Sequence, residues 1–312
     1  MTTPTPTRTL SRALAEIVTD LELEQPTLVD LADLAAIAAR HGIRTRAREL
    51  ARRLRERGWL LSTSRPGVYE FAPGAHAGPY GHGDPFMDLR AELRAHPDRL
   101  ATLTLGSALW LHGLAERAPN RHEVAVAPGS AVSAGLRRVY RVVHFEAQTP
   151  PAILRGLPVC SPATVLVHLA ARPAQVRSWS PVLDALPDLL ERVDVRDLLR
   201  ELAGRPASVS ARLGYLLSGL LTDTEAQKLG LRSSGSVVWF GPRVTVRRTD
   251  RFWGVVDTVL PEHPSQVGRP DRGPGVTNLT GRPAGQAHTQ GAHRAQRCAH
   301  RHCPGPSAEP AG

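Results

Sequence analysis

The amino-acid sequence predicts an α+β fold in which an N-terminal winged helix-turn-helix is followed by a mixed α+β domain and a disordered tail. Three observations carry that prediction. Residues 10–73 hold three helical periods and then two short β-rich runs around a Pro-Gly turn. Residues 86–261 mix helix and strand patterns without a regular βαβ rhythm. Residues 262–312 contain only three of Leu, Ile, Val and Phe, namely Val267, Val276 and Leu279, too few to offset the entropy of ordering them. The chain therefore divides into a flexible lead at 1–9, a winged domain at 10–73, a Gly/Pro/His-rich linker at 74–85, an α+β domain at 86–261 and the tail at 262–312.

In the winged domain the first helix is expected from Leu10 to Leu23, apolar at Leu10, Leu14, Ile17, Val18 and Leu21. A second helix is expected from Thr27 to His41, with Thr27 as N-cap, Asp30 three residues on, and Gly42 in the left-handed position that ends a helix. After the short turn Ile43-Arg44, Thr45 is positioned to cap a third helix, Arg46 to Arg57, whose buried stripe is Ala47, Leu50, Ala51 and Leu54. The hairpin that follows pairs residues 59–63 with 68–71 across Ser64-Arg65-Pro66-Gly67.

Between Arg40 and Arg65 stand nine arginines and two acids, Glu49 and Glu56, a local balance of +7. A basic second helix of a helix-turn-helix suits the major groove, where arginine grips guanine edges and phosphates. Thr45, Arg46, Arg48, Arg52, Arg53 and Arg55, with Arg65 at the wing tip, are the expected DNA-binding residues. Two other readings fit the same residues: a solvated charged face, with Glu49 paired to Arg53 at i,i+4, and a winged helix used for protein docking.

The second domain is expected to open with a helix at 86–95. A short helix at 107–114 and strands at 122–127 and 137–145 follow, then an interrupted apolar run at 153–160. A helix capped by Ser161-Pro162 runs to 171, one or two helices lie between 182 and 202, another at 209–221, and strands close the domain at 237–240, 243–247 and 253–259.

Composition bounds the function. The net charge of +10 favours acidic partners, nucleic acid first. Of 39 basic residues only Lys228 is a lysine; Leu229 follows it, so a P-loop is excluded, and EAQKLG fits neither a kinase strand lysine nor an acid-x-lysine nuclease strand. No run of 18 apolar residues and no signal peptide is present, which points to a cytoplasmic protein with no membrane partner. A nucleotidyl transferase needs a Gly-Ser helix start and two carboxylates two apart on the next strand; Gly106-Ser107 and Glu123 are present, but Ala125 stands where the second carboxylate would be. His112 reads as a structural histidine, and Cys160, with His168 downstream, as a small buried hydrophobe rather than a nucleophile. The cluster Cys298, His300, His302 and Cys303 is too crowded for a usual zinc site. No catalytic residue, cofactor or metal site is expected.

The winged segment ends in GWLLSTSRPGVYEFAP (Gly58 to Pro73). TLGSALWLHGL (Thr104 to Leu114), LPVCSPATVLVHLA (Leu157 to Ala170) and ARLGYLL (Ala211 to Leu217) follow. This succession, over about residues 10–260, resembles the AbiEi family of antitoxins from type IV toxin–antitoxin and abortive-infection systems. The resemblance implies a winged helix that binds inverted repeats in its own promoter, with Thr45 to Arg57 and the wing around Arg65 on the DNA. It also implies a C-terminal domain that counters a nucleotidyltransferase-like toxin, in a class that need not form a stable complex with it.

Overall fold

In the N-terminal region, apolar periodicity folds the chain around one small core. Helix α1 (Arg12–Glu24), strand β1 (Leu28–Asp30), helices α2 (Leu31–Arg40) and α3 (Ala47–Glu56), and strands β2 (Leu60–Ser62) and β3 (Val68–Phe71) follow in order. The strands form an antiparallel sheet in the order β1-β3-β2. Leu14, Ile17, Val18 and Leu21 of α1 meet Leu34, Ile37 and Ala38 of α2, Leu50, Ala51 and Leu54 of α3, and Val29, Leu60 and Phe71 of the sheet. Helix–strand–helix–helix–strand–strand is the element order expected of a winged helix-turn-helix. The computed structural model describes residues 10–74, 83–97 and 101–266. The lead at 1–9, most of the linker, and the tail from 267 with its Cys/His cluster lie outside the described residues.

The second helix starts later than its sequence pattern suggests. Leu28 and Val29 do not enter it; they pair with Glu70 and Tyr69 as strand β1. Asp30, not Thr27, is the N-cap: it accepts from the N–H groups of Ala32 and Asp33, while Asp33 accepts from Asp30 N in a reciprocal capping box. Gly42, at φ 64°, turns the chain out of α2 as expected. Thr45 does not cap α3; Arg46 holds the N-cap position and its side chain makes no capping bond.

Residues from 83 onward build a larger core. A five-stranded mixed sheet has the order β6-β5-β4-β8-β7, formed by β4 (Thr102–Leu103), β5 (Glu123–Val126), β6 (Arg141–His144), β7 (Ala152–Leu154) and β8 (Leu157–Val159). Helix α4 (Met87–Ala95) precedes these strands, and α5 (Leu105–Leu111) and α6 (Ala134–Val139) lie among them in sequence. Helix α7 (Pro162–Ala171), capped by Ser161, buries residues 163–170 and packs against α5, α8 (Ser180–Glu191), α9 (Val195–Leu202) and α10 (Ala207–Leu216). A helix buried all round needs no amphipathic stripe, which is why VLVHLA is apolar throughout except for the buried His168. After α11 (Asp223–Lys228), strands β9 (Val238–Phe240), β10 (Arg248–Asp250) and β11 (Val255–Asp257) form a third sheet, ordered β10-β11-β9.

Several expected spans shift. Residues 134–139, read in part as strand, form α6, because Ser133 accepts from Leu136 N and starts a helix before the strand. Residues 243–247 form no strand; the pairing begins at Arg248. The 182–202 stretch is two helices, the second capped by Asp194. β1, β4 and α11 are too short to give a period.

Both cores fall within one compact unit, Met1–Gly268, and α4 joins them. Arg94 donates to Asp30 (3.1 Å), Asp33 (2.5 Å) and Leu28 O (3.3 Å), so it holds the capping box of α2. Met87 and Ala91 pack on Leu28 and Val68.

Candidate nucleic-acid interface

Helix α3 presents its arginines because Leu50, Ala51 and Leu54 turn inward. The outward residues divide into two groups by their partners. Near the C-terminal end, Arg52 donates to Glu49 (2.7 and 2.8 Å) and to Glu56, and Arg53 donates to Glu49 (2.7 Å). The two guanidiniums draw the Glu49 carboxyl down to about 2. Arg52 and Arg53 stay exposed, but each already has a carboxylate beside it. Arg55 lies over the Tyr69 ring of β3, 5.9 Å from its centroid.

At the N-terminal end, Arg44, Arg46 and Arg48 are exposed, and among the described residues they make no ion pair and no side-chain hydrogen bond. Thr45, half-buried, sits between the first two. The N-terminal turn of a recognition helix is the part that reaches base edges, and the first N–H groups of any helix are unpaired and carry positive dipole. The free arginines and the free N–H groups thus share one end. Arg44 was outside the residues singled out from the sequence; lying in the turn, it had no helical period to mark it.

The β2–β3 turn, expected from the sequence to be a basic wing tip, is placed differently from a free tip. Ser64 N donates to Asp88 Oδ1 of α4 (2.5 Å), and Arg65 Nη2 lies 2.7 Å from His96 Nε2 just beyond that helix. Thr63 Oγ1 closes the turn on the carbonyls of Arg65 and Val68 (3.1 and 2.8 Å). Gly135 of α6 sits so close that a Cβ there would collide with Ser64 O. Arg65 is half-buried in this seam.

In the second domain, the groups weighed for catalysis are tied into the structure. Ser107 Oγ lies 3.2 Å from His122 Nδ1, but Ser107 is fully buried and accepts from Glu123 N (2.7 Å). Glu123 accepts from Gly106 N and pairs with Arg141, both at 2.8 Å; burial pushes its carboxyl up against the pull of Arg141. His112 Nε2 donates to Cys160 O (2.9 Å). The Cys160 thiol is pushed up to about 12 by burial and so stays protonated. His168, pushed down to about 4 by burial, stands between Thr104 Oγ1 (2.8 Å) and Gln175 Oε1 (3.0 Å). Among the described residues no group of three or more His, Cys, Asp or Glu is placed to hold a metal ion, and no helix is long and apolar enough to cross a membrane.

Residues 101–219 match the family model of the AbiEi antitoxin C-terminal domain. That segment holds α5, α7 and α10, the helices that carry TLGSALWLHGL, LPVCSPATVLVHLA and ARLGYLL. That segment is therefore similar to the C-terminal domain of antitoxins from toxin–antitoxin systems. The AbiEi family that it resembles is not known as an enzyme family. The crystal structure of the RV2827C protein from Mycobacterium tuberculosis is similar, at 25% identity and a TM-score of 0.72 over 86% of this chain and 97% of that one. The likeness therefore reaches well beyond the segment that the family model matches. No curated protein matches the chain.

Proposed function

We propose that this chain is an antitoxin that binds double-stranded DNA through the N-terminal end of α3 and represses its own operon. The reading rests on one observation: Arg44, Arg46 and Arg48 are exposed and unpaired at the end of α3 where the helix dipole is also positive. Arg52 and Arg53 add a weaker share, since each must leave Glu49 to reach a phosphate. Arg55 lies beside the wing strand and reaches the flanking backbone. Arg65, bound to His96, enters the interface only if the wing seam opens, so the first-order reading leaves it on the protein side. The operator is proposed to be an inverted repeat in the chain's own promoter, and the compartment to be the cytoplasm.

The C-terminal domain is proposed to counter a nucleotidyltransferase-like toxin in a type IV system, without a requirement for a stable complex. The domain's own Glu123 lacks a second carboxylate and is held by Arg141, so its part is not nucleotidyl transfer.

Titrating the protein on its own upstream promoter and on scrambled DNA of equal length, at two salt concentrations, tests the first half. Selective, salt-dependent binding that fails in an Arg46→Ala/Arg48→Ala variant supports it; equal binding to both DNAs contradicts it. Co-expression with the neighbouring gene tests the second half, by rescue of growth.

A further inference from the structure

An open cavity of about 370 Å³ lies between β6, the end of α7 and the start of α10, at the small end of the range for small-molecule sites. Three guanidiniums converge on it although Arg172, Arg205 and Arg212 are far apart in sequence. Arg212 is fixed: its Nε donates to Trp239 O (2.8 Å) and its Nη1 to Ala171 O (3.4 Å). Burial, and then the like charge of Arg172, lower its affinity for its proton. Arg172 is exposed and, among the described residues, its side chain has no ion pair or hydrogen bond.

Arg205 is held from behind. It pairs with the fully buried Glu201 (2.8 Å), donates to Glu146 O and lies over the Phe145 ring, 4.6 Å from its centroid. Glu201 in turn accepts from the hydroxyls of Thr149 (2.7 Å) and Thr164 (2.9 Å) and from the N–H groups of Gln148 and Thr149. The N-terminus of α10 also opens here: Pro206 is its N-cap, no side chain caps it, and Ser208 lines the cavity. The first N–H groups of a helix have no partner within it. Among the described residues Glu146 is the one carboxylate on the rim.

We propose that this cavity binds the phosphoryl group of a small molecule, with Arg172 and Arg212 as its clamp and the α10 N-terminus beneath it. Two cations that share a cavity without an acid between them are repelled until an anion joins them, and guanidinium forks fit phosphate oxygens in pairs. The apolar wall of Phe145, Pro206 and Val209 leaves room for an organic part such as a nucleoside. The site lies in the antitoxin domain and does not depend on the DNA reading of α3.

Calorimetric titration of the full chain with adenosine 5′-monophosphate, inorganic phosphate and adenosine tests this. The monophosphate is expected to bind, adenosine not to, and Arg172→Glu to weaken binding by at least about tenfold, the scale of one charge-assisted contact. The unliganded Arg172→Glu variant should melt no lower than the parent, because the Arg172 side chain has no partner to lose and its repulsion of Arg212 is removed. Tighter binding of the monophosphate than of inorganic phosphate identifies a nucleotide ligand; equal binding identifies free phosphate. Absence of binding by both at millimolar concentration overturns the site. So does equal binding of adenosine, or binding unchanged in Arg172→Glu. Loss of binding in Arg46→Ala/Arg48→Ala also overturns it, since the anion would then sit on α3.

Discussion

The arginines of α3 and the arginines around the cavity are the same residue in opposite surroundings. On α3 they project from a convex helix into solvent, some free and some tied to Glu49 and Glu56. At the cavity Arg212 and Arg205 are held by backbone carbonyls and by the buried Glu201, while Arg172 stays exposed on the rim. A convex row of mobile cations suits a long, regular polyanion and exchanges counterions with it. A concave set with two of its three members fixed suits one small anion, because most of its geometry is set before the ligand arrives. Arginine count alone does not separate these roles; what each guanidinium already holds does.

That contrast sets the expected size of each perturbation. The largest effect is at the free end of α3. Replacing Arg44, Arg46 and Arg48 together with Ala should cost at least about 100-fold in operator affinity, at 1–3 kcal/mol per arginine contact, with the melting temperature unchanged. Fluorescence anisotropy reads it; affinity held at constant salt would break the distinction between free and tied arginines.

A second effect should reach the cavity domain and spare α3. His168 is stacked on Phe145, with ring centroids 4.0 Å apart, and Phe145 lines the cavity. With its folded pKa depressed to about 4, the neutral ring favours the native state. The unfolded chain binds the proton first, so stability is whole above about pH 6.5 and declines as the pH falls from there towards 4, by roughly 3 kcal/mol in full. Denaturant titration between pH 7 and 4 should show that slope, and His168→Gln should flatten it. An unchanged slope in the variant would mean that another group governs acid stability.

Smaller still is the cap of α2. Asp30→Ala removes two capping bonds and the ion pair with Arg94, and should destabilise the fold by about 1–2 kcal/mol, measured by thermal melting. The loss should be nearly the same in an Arg94→Ala background if the cap dominates, and clearly smaller if the seam does.

The smallest effect runs in the opposite direction. Glu49→Gln releases Arg53 from its carboxylate, leaves Arg52 with Glu56 alone, and removes a negative charge near the phosphates. It should raise DNA affinity several-fold and steepen the salt dependence by about one unit per arginine freed. Unchanged affinity would show that the C-terminal half of α3 stays off the DNA.

The contrast also explains what was legible in the sequence. The arginines of α3 are neighbours in the chain, so a helical period and a charge count were enough to find them. Arg172, Arg205 and Arg212 are brought together by the packing of α7 and α10, and no local pattern marks them. The same holds for the fold. The long helices α1, α3 and α8 follow from periodicity and α7 from its Ser-Pro start, whereas β1 and β4 are two or three residues long and exist only through their partners β3, β5 and β8. Arg65 was legible as a basic turn residue, but its neighbour His96 lies 31 positions away, and only the tertiary structure shows the wing against α4.

The most direct test of the account is the salt dependence of operator binding for two variants measured side by side, Arg46→Ala/Arg48→Ala and Arg52→Ala/Arg53→Ala. The account predicts a large loss of affinity for the first, with the slope of log K against log salt reduced by about 0.9 for each phosphate no longer neutralised, and a clearly smaller change for the second. Equal losses in the two, or a larger loss in the second, would contradict the assignment of DNA binding to the free end of α3.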